Sequence, residues 1–119
     1  MVRVMPLLKL ETTVVLDETK RRDLQSGLSR IVAETVGKPE EYVMVTVLPA
    51  GILMSGKPGD AAFVEVRSIG GLSESVNRKL SEKICRRLNE SLGVPPNRIF
   101  LNFIDVKASD WGWNGNTLG

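Results

Sequence analysis

The stretch Leu24-Gln25-Ser26-Gly27-Leu28-Ser29-Arg30-Ile31-Val32-Ala33-Glu34-Thr35-Val36-Gly37-Lys38-Pro39 decides the architecture, because its pattern occurs twice in the chain. Leu24, Leu28, Ile31, Val32 and Val36 fall at helical spacing and form one apolar stripe. Gly37 then supplies a C-cap, and Pro39 stops the helix two residues later. A shift of 56 residues lays this pattern on Leu80, Ile84, Leu88 and Leu92, with Gly93 as cap and Pro95 as stop. Asp17 and Ser73 correspond ahead of the two stripes, and both are good N-cap residues. Beyond the helices, Val43 and Val45 fall on Ile99 and Leu101, within the apolar runs 42–48 and 99–104.

Each helix is preceded by another apolar run, Met5-Pro6-Leu7-Leu8-Lys9-Leu10 in one case and Ala62-Phe63-Val64-Glu65-Val66 in the other. Two β-α-β units in tandem are therefore expected. A right-handed crossover makes the two strands of each unit parallel. The expected fold class is α/β (α+β), with one four-stranded mixed sheet and both helices on a single face. Strands open to water on the other face should alternate apolar and polar. The runs 42–48 and 99–104 are nearly continuous in apolar residues, so that face is expected to be covered by further copies of the chain. Closed symmetry then suggests a homotrimer with its sheets facing inward.

The 119 residues suit one domain. Residues 6–119 are read as that domain and residues 1–5 as an N-terminal extension. A net charge of +2, with lysines and arginines scattered, gives no footprint for nucleic acid. One cysteine, Cys85, excludes an internal disulfide and fits a reducing compartment. Histidine, the usual acid–base group, is absent. No run reaches transmembrane length, and the start is too short and too charged for a signal peptide. A cytoplasmic protein, with no membrane partner, is expected.

Pro6 is the unusual residue. A proline at the first position of a strand costs the sheet no hydrogen bond. If the chain began there, it would also carry a free secondary amine, a base that no internal residue supplies. Met1-Val2-Arg3-Val4 and Met5 precede it here. While Met5 stays attached, the nitrogen is an amide whose lone pair is delocalised.

The ordered set Met5-Pro6-Leu7, Gly37-Lys38-Pro39 with Tyr42, Ser68-Ile69-Gly70, 96–102 (PNRIFLN) and Gly112-Trp113-Asn114 resembles macrophage migration inhibitory factor and its bacterial relatives in the tautomerase superfamily. No one of these motifs is specific; their order, the repeat and the chain length are. The resemblance implies a homotrimer with an active site at each subunit interface. It implies phenylpyruvate tautomerase or dopachrome isomerase-like chemistry on small keto acids or enols. By matching motifs, Pro6 is the proton carrier and Lys38 binds the substrate carboxylate. Ser68 and Ile69 lie beside them, and Ile69 offers its backbone. Asn102 comes from the neighbouring subunit, and Tyr42, Trp113 and Leu118 wall the pocket.

Phe100 stands where the family usually has tyrosine, so one hydroxyl donor is missing. The Cys-x-x-Cys pair of the mammalian factor is also absent, since 60–63 here is Asp-Ala-Ala-Phe. The family also admits export without a signal peptide.

Such a base must work near neutral pH. A free α-amine has a reference pKa of about 7.7–8.0, and proline's starts higher. Burial and a neighbouring cation such as Lys38 both disfavour the ammonium. The neutral amine then moves the proton between carbon and oxygen while Asn102 donates to the oxygen that gains charge. No metal or cofactor enters such a reaction. Two residues keep a second reading. Lys38 also suits the negative end of a helix, and Asn102, if buried, needs a hydrogen-bonding partner that backbone can supply as well as substrate. Trp111 is read as packing and Cys85 as an inert thiol at the edge of the core. The rival function is a non-catalytic, cytokine-like trimer that binds proteins through a vestigial pocket.

Overall fold

The computed structural model describes residues 5–119, in which the repeat is realised as two β-α-β units. The first contains β1 (Leu7–Thr12), α1 (Glu18–Val36) and β2 (Met44–Pro49). The second contains β3 (Ala62–Ser68), α2 (Glu74–Leu92) and β4 (Ile99–Asp105). Asp17 caps α1 by accepting from the Lys20 N–H, and Ser73 caps α2 by accepting from the Val76 N–H. Both helices end on a glycine in the left-handed region, Gly37 at φ 79° and Gly93 at φ 71°. A side chain is strained at such a cap, which is why glycine stands at both.

Each cap leads into a short 3-10 turn, Glu40–Tyr42 after α1 and Pro96–Arg98 after α2, opened by Pro39 and Pro95. The sequence run beginning at Tyr42 suggests strand from that residue. Instead the Tyr42 N–H donates to the Pro39 carbonyl (3.2 Å) and the Val43 N–H to Glu40 (2.9 Å), which holds the chain in a turn until Met44. Strand β1 also differs from its expected span. It starts at Leu7 and passes Leu10, because Glu11 and Thr12 find partners in Leu48 and Pro49 of β2.

The sheet order is β2-β1-β3-β4. Strands β1 and β2 are parallel, as are β3 and β4, while β1 and β3 run antiparallel and join the units. The core lies between the sheet and the helices. Leu8, Leu10, Val64 and Val66 from the sheet meet Leu28, Val32, Ile84 and Leu88 from the helices, all at 0% exposure. Each such side chain stabilises the fold by about 1.5–3 kcal/mol through removal from water. Across the helix pair, Arg87 donates to the Asp23 carboxylate (3.1 Å) and lies over Gly27, where an added Cβ would sit 2.4 Å from its Nη1.

The opposite sheet face is uneven. The nearly continuous apolar runs are the two edge strands, where Met44, Leu48 and Phe100 are 62%, 49% and 64% exposed. The central strands alternate. Lys9 and Glu11 of β1 pair at 3.6 Å, and Glu65 of β3 pairs with Arg67 on the same face. Register aligns Thr46, Lys9, Glu65 and Asn102 as one polar row across all four strands. The face is therefore apolar towards its edges and charged along its middle. Among the described residues, no helix is long and apolar enough to cross a membrane.

Candidate active site

Pro6 precedes β1 and is buried. Its carbonyl accepts from the Met44 N–H at 3.0 Å, which ties the start of β1 to the start of β2. Around this junction lies a cleft of about 330 Å³, within the range of small-molecule sites. It is lined by Met5, Pro6, Tyr42, Met44, Trp111 and Trp113, with Glu41 at its rim and Leu7, Val43 and Gly112 between them. Tyr42 reaches it because the 3-10 turn, rather than a strand, carries that residue.

The tail supplies the remaining wall. After the turn Ala108–Asp110, the short strands β5 (Gly112–Trp113) and β6 (Asn116–Thr117) pair as a hairpin. Asn114 and Gly115 form its turn, both at positive φ (54° and 79°), which is the demand of a two-residue hairpin loop. The Leu118 N–H donates to the Trp111 carbonyl at 3.0 Å, so the end of the chain closes against the residue that enters the cleft. Trp111, for which packing is the favoured reading over pocket lining, lines the cleft with Trp113. The signal available in the sequence was its place two residues before Trp113, which in a strand-like segment puts both indoles on one side.

The other candidates divide by position. Ile69 and Ser68 follow the end of β3, and the register Leu7↔Arg67, carried back, sets Pro6 beside Ser68 and Met5 beside Ile69. Ser68 is fully buried and donates its hydroxyl to the Gly70 carbonyl at 2.7 Å. Lys38 is half-buried just past the C-cap of α1, with its N–H on the Ala33 carbonyl. Its ammonium has no carboxylate partner among the described residues, and it is not one of the residues lining the cleft.

Asn102 and Phe100 are on β4, the far edge from β2. Three strand spacings of about 4.8 Å separate these edges, roughly 14 Å. Within one chain they do not meet Pro6 or Tyr42. Leu118 is half-buried and adjoins the cleft through its bond to Trp111. Cys85 lies on α2, away from the cleft, and burial pushes its thiol pKa up, which keeps it protonated. Residues 1–4 of the expected extension lie outside the described residues. Met5 does not: it is 8% exposed and lies against Pro6 in the cleft.

The chain is similar to known proteins over nearly its whole length. The family model described as macrophage migration inhibitory factor matches residues 5–119. A macrophage migration inhibitory factor homolog of Trichuris trichiura is 36% identical over 115 residues, covering 96% of this chain and 100% of that protein. Macrophage migration inhibitory factor of Xenopus laevis is 32% identical over 96% of this chain and 99% of its own. Among solved structures, the homologue from Prochlorococcus marinus superposes with a TM-score of 0.90 at 38% identity, covering 95% of this chain and 99% of that one. A macrophage migration inhibitory factor-like protein from Entamoeba histolytica gives 0.91 at 26% identity, over 95% and 98%. In fold, repeat, motif order and nearly full-length similarity, this chain belongs to the macrophage migration inhibitory factor family.

Proposed function

We propose that the protein is a cofactor-free keto–enol tautomerase acting on small aromatic or otherwise enolisable keto acids, with the amine of Pro6 as general base. The observation that carries this reading is the burial of Pro6 at the head of β1, in a cleft walled by Tyr42, Trp111 and Trp113. An amine placed there is partly removed from water, which disfavours its ammonium and favours the neutral base. Lys38, which has no carboxylate partner among the described residues and stands just beyond the α1 C-cap, is a cation suited to a substrate carboxylate.

The neutral amine accepts the proton from the carbon beside the carbonyl, and the C–H electron pair moves to form the enolate. The ammonium then returns the same proton to the oxygen, so the substrate isomerises with no net loss of atoms or electrons. A donor near that oxygen stabilises the developing charge. Asn102 is suited to this only from a second chain, since its own strand is at the far sheet edge. A homotrimer in which each neighbour brings Asn102 and Phe100 to the cleft is part of the proposal. The exposed apolar edge residues Met44, Leu48 and Phe100 support such packing. A cytoplasmic location fits the single reduced thiol.

The rival is a cytokine-like, non-catalytic trimer that binds other proteins. Two observations favour it: Phe100 has no hydroxyl to give, and Met5 is bonded to Pro6 within the cleft. Phenylpyruvate tautomerase assays on the full 119-residue chain and on a form beginning at Pro6 separate the two. Activity confined to the shorter form, and lost there in Pro6→Gly, is the expected result. Equal background rates for all three forms would reject the enzyme reading. Sedimentation at micromolar concentration should give three times the chain mass, and a monomer would remove the role given to Asn102.

A further inference from the structure

At the end of β1 remote from Pro6, about 20 Å along the strand, lies a second cavity of about 150 Å³. Val14, Val15 and Leu16 wall it ahead of α1, and Val47 and Pro49 wall it from β2. Thr12 and Arg21 complete the lining, and Arg21 alone among these residues is charged. An apolar space of about this volume holds one benzene ring. The polar groups around Arg21 are committed elsewhere. The Thr12 hydroxyl donates to the Ala61 carbonyl (3.3 Å) and accepts from the Val14 N–H (3.2 Å). Asp17 accepts from the Lys20 N–H, Glu18 pairs with Arg22 at 2.8 Å, and Asp23 pairs with Arg87 at 3.1 Å. Gln25, one turn on from Arg21 and on the same helix face, donates to the Val45 carbonyl at 3.2 Å. Arg21 is half-buried, and its side chain has no ion pair or hydrogen bond among the described residues.

A cation in the first turns of a helix opposes the macrodipole, so helix stability does not account for Arg21. A guanidinium offers two parallel donors that match the two oxygens of a carboxylate. We infer that this cavity is a second small-molecule site, which takes a monocarboxylate whose apolar body is the size of a single ring. The carboxylate bonds to Arg21, and the ring lies against Val14, Leu16 and Val47. Val47 packs on the helix side of β2, whereas Met44 and Leu48 are exposed on the other face. Packing of copies through that other face leaves this cavity open. The site is independent of the reaction proposed at Pro6.

Benzoate, benzyl alcohol and benzylammonium share one ring and differ in charge, and each is titrated into the full 119-residue chain. Amide chemical shifts read by NMR locate each ligand, which separates this cavity from the cleft at Pro6. Benzoate is expected to shift the amides of residues 12–16 and 47–48 saturably. The alcohol should bind there about tenfold more weakly, as loss of a charge-assisted hydrogen bond implies, and the cation more weakly still. Arg21→Gln, which keeps a good helix former, should bring benzoate to the level of the alcohol. Arg21→Lys, with the charge but not the fork, should lie between the two. Arg22→Gln, at the neighbouring arginine that pairs with Glu18, should leave benzoate binding unchanged. Shifts confined to the cleft at Pro6, equal affinity for the three ligands, or benzoate binding that survives Arg21→Gln would overturn the inference. None of these readouts involves proton transfer, so a chain without tautomerase activity that binds benzoate at Arg21 rejects the proposed reaction and keeps this site.

Discussion

In the first β-α-β unit the 3-10 turn after the helix ends on Tyr42, which walls an open cleft. In the second unit the residue 56 positions on is Arg98, and its guanidinium is closed over by the chain. Arg98 donates to the carbonyls of Met54 (3.0 Å), Lys57 (3.2 Å), Gly59 (3.2 Å) and Asp60 (3.2 Å). The segment joining the units thus folds across the place that remains open in the first. The strand starts are both buried but face different surroundings: Pro6 lines the cleft, whereas its counterpart Ala62 belongs to the apolar core. Duplication of the scaffold offers a site twice, and the connection between the copies fills one of them.

The largest expected break in this comparison is chemical. In the form beginning at Pro6, Pro6→Gly should lower kcat for phenylpyruvate tautomerisation by about 10²–10⁴, the usual contribution of a general base. Ala62→Gly, at the matching position of the second unit, should leave kcat unchanged while lowering stability by about 0.5–1 kcal/mol. Steady-state assays paired with thermal melts read both.

Next in size is the core, where the two units are equivalent. Leu28→Ala and Ile84→Ala stand 56 residues apart, and both side chains are fully buried. Each should cost about 2–5 kcal/mol in urea unfolding, and a marked inequality would show that one helix carries the fold. Arg98→Met tests the filled site. Loss of charge-assisted bonds to four exposed-loop carbonyls, which water then takes over in part, should cost about 1–2 kcal/mol. Hydrogen exchange should accelerate across residues 54–60 and stay unchanged around Tyr42. The caps come last. Asp17→Ala and Ser73→Ala should each cost about 1 kcal/mol, because each removes a bond to an otherwise unsatisfied helix N–H.

Much of this was legible in the sequence because the signals were local. Helix stripes, N-caps, cap glycines and stopping prolines each act within a few residues, and all of them hold in the structure. The sheet order was only partly legible. Apolar runs mark strands but do not say which lie at an edge, and β2 and β4 turned out to be the edges. Their exposed apolar residues and the charged pairs of β1 and β3 share a face through register, a relation between distant residues. The turn at Glu40–Tyr42 was hidden because Tyr42 is β-prone, yet the proline before the turn fixes the backbone. At the site, Pro6, Tyr42 and Trp113 followed from ordered motifs. Trp111 did not, since its role depends on a tail hairpin whose docking is tertiary. The separation of Asn102 from Pro6 emerged only from the strand order.

The guanidinium of Arg87 lying over Gly27 imposes an order on sequence change. Gly27→Ala made alone gains about 1 kcal/mol of helix propensity, but displaces Arg87 from Asp23 and erases much of that gain. Made after Arg87→Ala, the same substitution no longer meets the guanidinium and keeps more of the gain. The two positions are therefore epistatic, and a population drifting through this helix pair would reach alanine at position 27 by one mutational path far more readily than by the other.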